Sequence, residues 1–243
     1  MHQIFITNKN FKNNYVIIDG DDFHHLVNVL RIKTNEKLFI VVDKGDRFIG
    51  KVNLIEKNRL IVELIEKIKN NFEPNFNLYI AQSITKGKKI ESIIKYGTEL
   101  GIKGFFPLIT ERTVVKLNPE KIERLKKIAK EEAQVSKRNN IPEIFNPINF
   151  NDLIENSHKY EKKYIFWELE KENFIDVVEI NKDENIIVVI GNEGGFSLDE
   201  VYKAKNFGFI SISLGKRILR SELAPLVIIS LIIYKGGGFN LWK

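Results

Sequence analysis

The chain has 243 residues, 43% of them hydrophobic, with four histidines, no cysteine and a net charge of +6. That length and apolar content suffice to pack one large domain or two modest ones. The lack of cysteine excludes disulfides and thiolate chemistry and fits a reducing compartment such as the cytoplasm, and the scattered histidines argue against a metal centre.

The N-terminus, MHQIFITNKN, has no charged start followed by an apolar stretch, so it does not read as a secretory signal. Residues 1 to about 69 alternate short β-rich runs (IFI, YVII, KLFIVV, RFIGKVNLI, RLIVELI) with turn signals such as DKGDR and EKNR. One helical piece interrupts them, DDFHHLVNVLR (21–31), in which Asp21 or Asp22 can cap and Leu26, Val29 and Leu30 fall at helical spacing. His24 and His25 are expected to serve the fold, one in the core and one at the surface. A small β-barrel-like domain over 1–70 is expected. The polar, proline-containing stretch 71–77 reads as a linker.

From Asn77 onward strands alternate with helices across the second expected domain, 78–243. NLYIAQSI is followed by a helix with Ile90, Ile93, Ile94, Gly97 and Leu100 on one face, then by the strand GFFPLI, a βαβ unit. Asn118 and Pro119 open the next helix as cap and first residue, with Ile122, Leu125, Ile128 and Ala129 as its buried stripe. KYIFWEL, NIIVVI and FISISL read as further strands, with helices near 149–157 and over 198–206. The longest apolar run, LAPLVIISLIIY (223–234), is 12 residues long, against the roughly 20 that a membrane-crossing helix needs, and reads as a buried helix. The fold class expected is α/β, with a mostly parallel sheet covered on both faces.

Charge is unevenly spread. Residues 86–138 carry 14 basic and 7 acidic side chains, and residues 139–243 carry 12 and 15, so the middle is +7 and the C-terminal part −3. A basic zone attracts a polyanion such as RNA, although solvated lysine-rich helices give the same composition. Arg31, Lys33, Lys137 and Arg138 are candidate phosphate contacts.

Two late segments, GNEGGFSLDE (191–200) and LGKRILRSELAP (214–225), follow strand-like runs and should lie at the carboxyl ends of neighbouring strands, where α/β sheets place ligand sites. Gly191, Gly194 and Gly195 around Glu193 permit positive φ and close ligand approach. Ser197 and Glu200 also form a capping-box pattern, so the glycines alternatively just turn the chain. The spacing matches neither a dinucleotide-binding nor a P-loop pattern. Lys216, Arg217 and Arg220 cluster before a helix start, against its dipole, which suggests an anionic partner; pairing with nearby carboxylates is the alternative.

Together these segments resemble the ribosomal RNA small subunit methyltransferase E family, in the SPOUT class. Its members show a G-P-E-G-G-[FL]-S loop and an L-G-x-R-[IV]-L-R-x-E-[TL]-A loop, where this chain has GNEGGFS and LGKRILRSELA. HHLVNVLR, KGKKIESIIKYGTELGI, ITERTVV and EEAQVSKRNNIPEI resemble further family segments in the same order. The resemblance implies methylation of N3 of a uridine in 16S rRNA with S-adenosylmethionine, a PUA-like RNA-binding first domain, a trefoil-knotted second domain and a homodimer. It also implies a cofactor site on three loops: Glu168 and Leu169; Gly191, Asn192, Glu193, Gly194 and Gly195; and Leu214, Gly215, Ile218, Leu219 and Arg220. Arg220 is the first choice to stabilise charge on the uracil, Glu222 or Glu193 to act as base or orient Arg220, and Lys216 and Arg217 to contact RNA. No metal is expected. Asn192 and Lys216 stand where the family often has proline, Gln3 where it often has arginine, Pro225 falls in the first turn of the last helix, and Val42 to Gly50 matches loosely. The rival readings are a non-catalytic rRNA-binding assembly factor and an enzyme acting on tRNA or a ribose 2′-hydroxyl.

Overall fold

A computed structural model of the chain describes residues 1–7, 11–12, 14–42, 45–69 and 72–239. Asp43 and Lys44 of the DKGDR turn, Asn70 and Asn71 at the expected domain boundary, and residues 240–243 of the expected second domain lie outside these. The chain forms two units, the first made of Met1–Phe72 with Ala133–Asn140 and the second of Glu73–Glu132 with Ile141–Lys243.

In the first unit, β1 (His2–Ile6), β2 (Phe11–Lys12), β3 (Tyr15–Asp19), β4 (Lys37–Val42), β5 (Asp46–Ile55) and β6 (Arg59–Ile68) form one curled, half-barrel sheet in the order β1-β4-β5-β6-β3-β2. Among the described residues only β1 and β4 of this sheet pair in parallel. Period-two patterning puts Leu38, Ile40 and Val42 of β4 and Leu60, Val62 and Leu64 of β6 into a common core with Ile4 and Ile18. Register shifts in β5 at Ile49/Gly50 and Val52/Leu54 bend the strand, and at Gly50 a Cβ would run into the Val62 side chain.

The helix expected at 21–31 differs in detail. It starts as α1 (Gly20–His24), with Asp19 rather than Asp21 or Asp22 at the cap position, and continues as a π-helical turn over His25–Val29. There Leu30 N–H donates to the His25 carbonyl, five residues back, at 2.9 Å. The wider turn rotates the later side chains about the axis, so Leu26 is buried while Val29 and both histidines are exposed. A wheel with 3.6 residues per turn cannot foresee that.

The segment Ala133–Asn140 joins the first unit because named side chains hold it there. Gln3 Nε2 donates to the carbonyls of Ala133 (3.3 Å) and Arg138 (2.7 Å), and Asn139 Nδ2 donates to the Gly45 carbonyl at 3.0 Å. Arg47 donates to the Lys137 carbonyl at 3.2 Å, and its guanidinium lies 3.9 Å above the Phe39 ring and 4.8 Å from that of Phe72. Gln3, placed where an arginine contact to phosphate was in question, is thus a buried structural amide.

The second unit comprises β7 (Asn77–Ser83), α2 (Lys89–Leu100), β8 (Gly104–Ile109), α3 (Pro119–Val135, its last turn counted in the first unit), β9 (Glu143–Ile144), β10 (Ile148–Asn149), α4 (Phe150–Glu155), β11 (Lys162–Phe166), β12 (Asn185–Ile190), α5 (Leu198–Asn206), β13 (Ile210–Ile212) and α6 (Ala224–Lys235). Every strand pairing is parallel, in the order β10-β8-β7-β12-β11-β13, with β9 beside β8. Alternate residues of β12 enter opposite cores. Ile186, Val188 and Ile190 share one with Ile93, Leu125 and Ile229 of α2, α3 and α6, and Ile187 and Val189 share the other with Leu153 and Val201 of α4 and α5. Asn118 Oδ1 accepts from Lys121 N–H at 3.0 Å and caps α3.

The boundary between the units falls inside the stretch expected as a linker, after Phe72, and the described residues that follow it are packed. Phe76 is 4% exposed in the second unit's core, and Pro74 lies where a side chain on Gly101 (φ 108°) would need to go. Polar neighbours hid this in the sequence. Replacing Ile93, which has no exposed surface, by alanine is expected to cost about 2–5 kcal/mol of stability, read as a lower urea midpoint at unchanged slope.

Candidate active site

Three adjacent strands of the second unit end at one level. Phe166, the last residue of β11, pairs with Ile190, which ends β12, and with Ile212, which ends β13. The loops leaving these strands therefore start side by side at the carboxyl edge of a parallel sheet, and a cavity of about 300 Å³ lies among them. Its apolar base is Phe166, Ile190, Ile212 and Ile228.

Of the expected cofactor residues, Glu168, Gly191, Asn192, Glu193, Gly194, Gly195, Leu214, Gly215, Ile218 and Leu219 line this cavity, and so do Lys216 and Arg217. Leu169 does not and is 57% exposed; β11 ends at Phe166, earlier than the KYIFWEL run suggests, so Trp167 takes the wall position beside Glu168. Arg220 and Glu222 also stand off the wall. Arg220 is exposed and makes no side-chain hydrogen bond or ion pair among the described residues, so nothing orients it. In the first unit Arg31 and Lys33 are exposed and Lys137 is half-buried. Arg138 is 3% exposed, with its carbonyl fixed by Gln3, which removes it from the set of free phosphate contacts.

Side chains from neighbouring strands shape the 191–195 loop. Gln82, fully buried at the end of β7, donates to the Gly191 carbonyl at 2.7 Å. Asn192 accepts the Gly194 N–H at 2.9 Å and donates to the Arg112 carbonyl at 3.0 Å, while the Arg112 guanidinium donates to the Gly194 carbonyl at 2.5 Å. These hydrogen bonds restrict the turn at Asn192. Gly195 has φ 65°, and a Cβ there would collide with the Glu168 carboxylate. The capping box is present as well: Ser197 N–H donates to Glu200 Oε2 and Glu200 N–H to Ser197 Oγ, and Glu200 Oε1 accepts from Glu111 N–H at 2.9 Å.

An ionic cluster sits against the cavity. Lys89 Nζ, in the first turn of α2, lies 2.7 Å from Glu193 Oε1, 3.3 Å from Ser221 Oγ and 3.4 Å from Glu222 Oε2. Ser221 Oγ is 3.0 Å from Glu193 Oε1 and 3.3 Å from Glu222 Oε2. Burial pushes the Glu193 carboxyl up, but Lys89, its own backbone amide and Ser221 together hold it below the usual carboxylate range. The Glu222 carboxyl is also held low, first by its own amide and then, against burial, by Lys89 and Ser221; Lys89 is pushed up, chiefly by Glu193. Sequence reasoning assigned no role to Gln82, Lys89, Arg112, Trp167 or Ser221. Lys89 and Arg112 do lie in family-like segments, but Gln82 carried no signal beyond ending a strand.

Residues 72–233 match the family model described as RNA methyltransferase domain, and residues 18–65 the model described as RNA methyltransferase PUA domain. The chain is 33% identical to the ribosomal RNA small subunit methyltransferase E of Bacillus subtilis (strain 168), covering 90% of this chain and 89% of that protein. It is 36% identical to the protein of the same name from Mesomycoplasma hyopneumoniae (strain 232), covering 95% and 98%. A solved structure from Legionella pneumophila, described as a methyltransferase with bound cofactor S-adenosylmethionine, superposes with a TM-score of 0.85 at 26% identity over 96% of each chain.

The loop carrying Glu168 is anchored by Glu170. Its buried carboxylate accepts from the Ser211 hydroxyl, from the amides of Lys171 (2.9 Å) and Glu172 (3.0 Å), and pairs with Lys205 at 3.4 Å. Against the upward push of burial these hold its pKa to about 2. A carboxyl depressed by folding contributes stability that is complete above its unfolded pKa, near 4.5, and is lost as pH falls toward about 2. Glu170→Gln should therefore show a smaller drop in melting temperature between pH 5 and pH 2.5 than the parent chain, measured by circular dichroism.

Proposed function

The chain belongs to the ribosomal RNA small subunit methyltransferase E family, and on that premise we propose that it methylates N3 of a uridine in 16S rRNA with S-adenosylmethionine, as a cytoplasmic homodimer of the SPOUT class. The cavity at the ends of β11, β12 and β13 carries this reading. Its residues fit the cofactor. Phe166, Ile190 and Ile212 offer apolar walls for the adenine, the glycines of 191–195 leave backbone groups open to a ligand, and the Glu168 and Glu193 carboxylates complement sulfonium and ammonium charge. When bound, the cofactor supplies an electrophilic methyl group, while Glu168, Gly191, Gly195, Leu214, Gly215 and Leu219 hold it by wall and backbone contacts.

Arg220 follows the cavity-lining Leu219 and has no competing partner among the described residues, which suits it to stabilise charge on the uracil oxygens as the imide proton leaves. Lys89 and Ser221 engage both Glu193 and Glu222 and hold their carboxyls below the usual range, which suits the pair to fix their loops, and the imide proton passes to solvent. N3 lies on the Watson–Crick edge, so the target uridine is unpaired or extruded. Lys216 and Arg217 face RNA at the cavity, and the PUA-like unit adds Arg31, Lys33 and the half-buried Lys137. Ile218, 91% exposed, and Leu223 present apolar surface beside the cavity that a second copy would cover. The strand order supports the knot: β13 lies beyond β11, yet α6 returns to bring Ile229 near Gly97 of α2.

The decisive experiment offers labelled S-adenosylmethionine to small subunits from cells lacking the modification and identifies the nucleoside by mass spectrometry. N3-methyluridine is expected; label in tRNA or on a ribose would replace this reading, and no cofactor binding would favour a non-catalytic assembly factor. Arg220→Ala should bind the cofactor almost normally by calorimetry yet lose about 100-fold or more in turnover. Arg31→Ala with Lys33→Ala should reduce the salt slope of RNA binding by about 2.

A further inference from the structure

Lys89 is not on the cavity wall, yet it binds two residues that are, Glu193 and Ser221, together with Glu222. A cation in the first turn of a helix works against the helix dipole, so α2 itself gains nothing from Lys89 there. Its contacts join three separate segments: the start of α2, the loop after β12 and the turn before α6. Ser221, 9% exposed, closes the cluster by bridging both carboxylates.

We propose that Lys89 is a positioning residue for methyl transfer, locking the Glu193 carboxylate and the Ser221–Glu222 turn together so that the cofactor loop and the Arg220-bearing loop keep one relative placement. This rests on the methyltransferase reading above. Lys89 acts through Glu193 and Ser221 and touches neither reactant. Around Glu193 the charged groups are Lys89 from α2, Glu222 from the turn before α6, Arg112 on the Gly194 carbonyl, Glu168 against Gly195, and Lys216 and Arg217 on the same cavity. Without Lys89, burial still opposes ionisation of Glu193 and only its own amide and Ser221 favour it, so the carboxyl titrates higher.

The test compares the parent chain with Lys89→Met and Lys89→Arg. In the ligand-free protein, the ¹³C-labelled Glu193 carboxyl of Lys89→Met should titrate higher than in the parent chain. With substrate, kcat should fall at least about tenfold, KM for S-adenosylmethionine should change less, and the acid limb of kcat/KM should move up with the carboxyl. Lys89→Arg, which keeps the charge, should restore the titration and most of kcat. An unmoved Glu193 titration, or Lys89→Met with parental kcat and acid limb, overturns the proposal. A parent chain with no methyltransferase activity would overturn the functional reading instead, with the Glu193 titration still deciding whether Lys89 forms the lock.

Discussion

Parallel pairing in register is the constraint on which the site depends. Because Phe166, Ile190 and Ile212 occupy one level in three neighbouring strands, the chain must leave the sheet three times at nearly the same place. A slip of one residue in any of these strands would turn its alternate residues toward the wrong core. Both faces are already filled, with Val188 on one side and Val189 on the other. The packing of the core therefore sets the relative height of the loops, and the cavity results from that height.

Height alone does not shape a loop, and the glycine-rich segment cannot shape itself. Its conformation comes from outside, through the Gln82 amide on Gly191, the Arg112 guanidinium on Gly194 and the Lys89 ammonium on Glu193. Each belongs to or follows a strand or helix earlier in the chain. Backbone groups next to the cavity are thus fixed before any ligand arrives, which lowers the ordering cost of binding. The same logic applies across the site, where Glu170 draws amides and the Ser211 hydroxyl onto one buried carboxylate.

Periodicity made the second unit legible. NIIVVI is apolar on both faces, as a strand buried in a parallel sheet must be, and the spacing of Ile90, Ile93 and Ile94 marked the inner face of α2. The two late loops were legible as lying at one edge of the sheet because each follows a run of strand character. Partner identity was not legible. Nothing in a lysine's neighbours along the chain says that Lys89 will meet Glu193 and Glu222, 104 and 133 residues later by number. Arg138 looked like surface charge because its neighbours along the chain do not reveal that its segment packs into the first unit, where it is 3% exposed. The π-helical turn defeated a period argument outright, since one added residue per turn reassigns every face after it.

The discontinuous first unit has a consequence for biosynthesis. Gln3 finds its two carbonyl partners 130 and 135 residues downstream, so β1 leaves the ribosome well before them and waits while the intervening chain is made. Such long loops close slowly, and until then the half-barrel's outer strand lacks the segment that satisfies it. Most of the first unit is made before the second, and yet it is complete only once Ala133–Asn140 has followed.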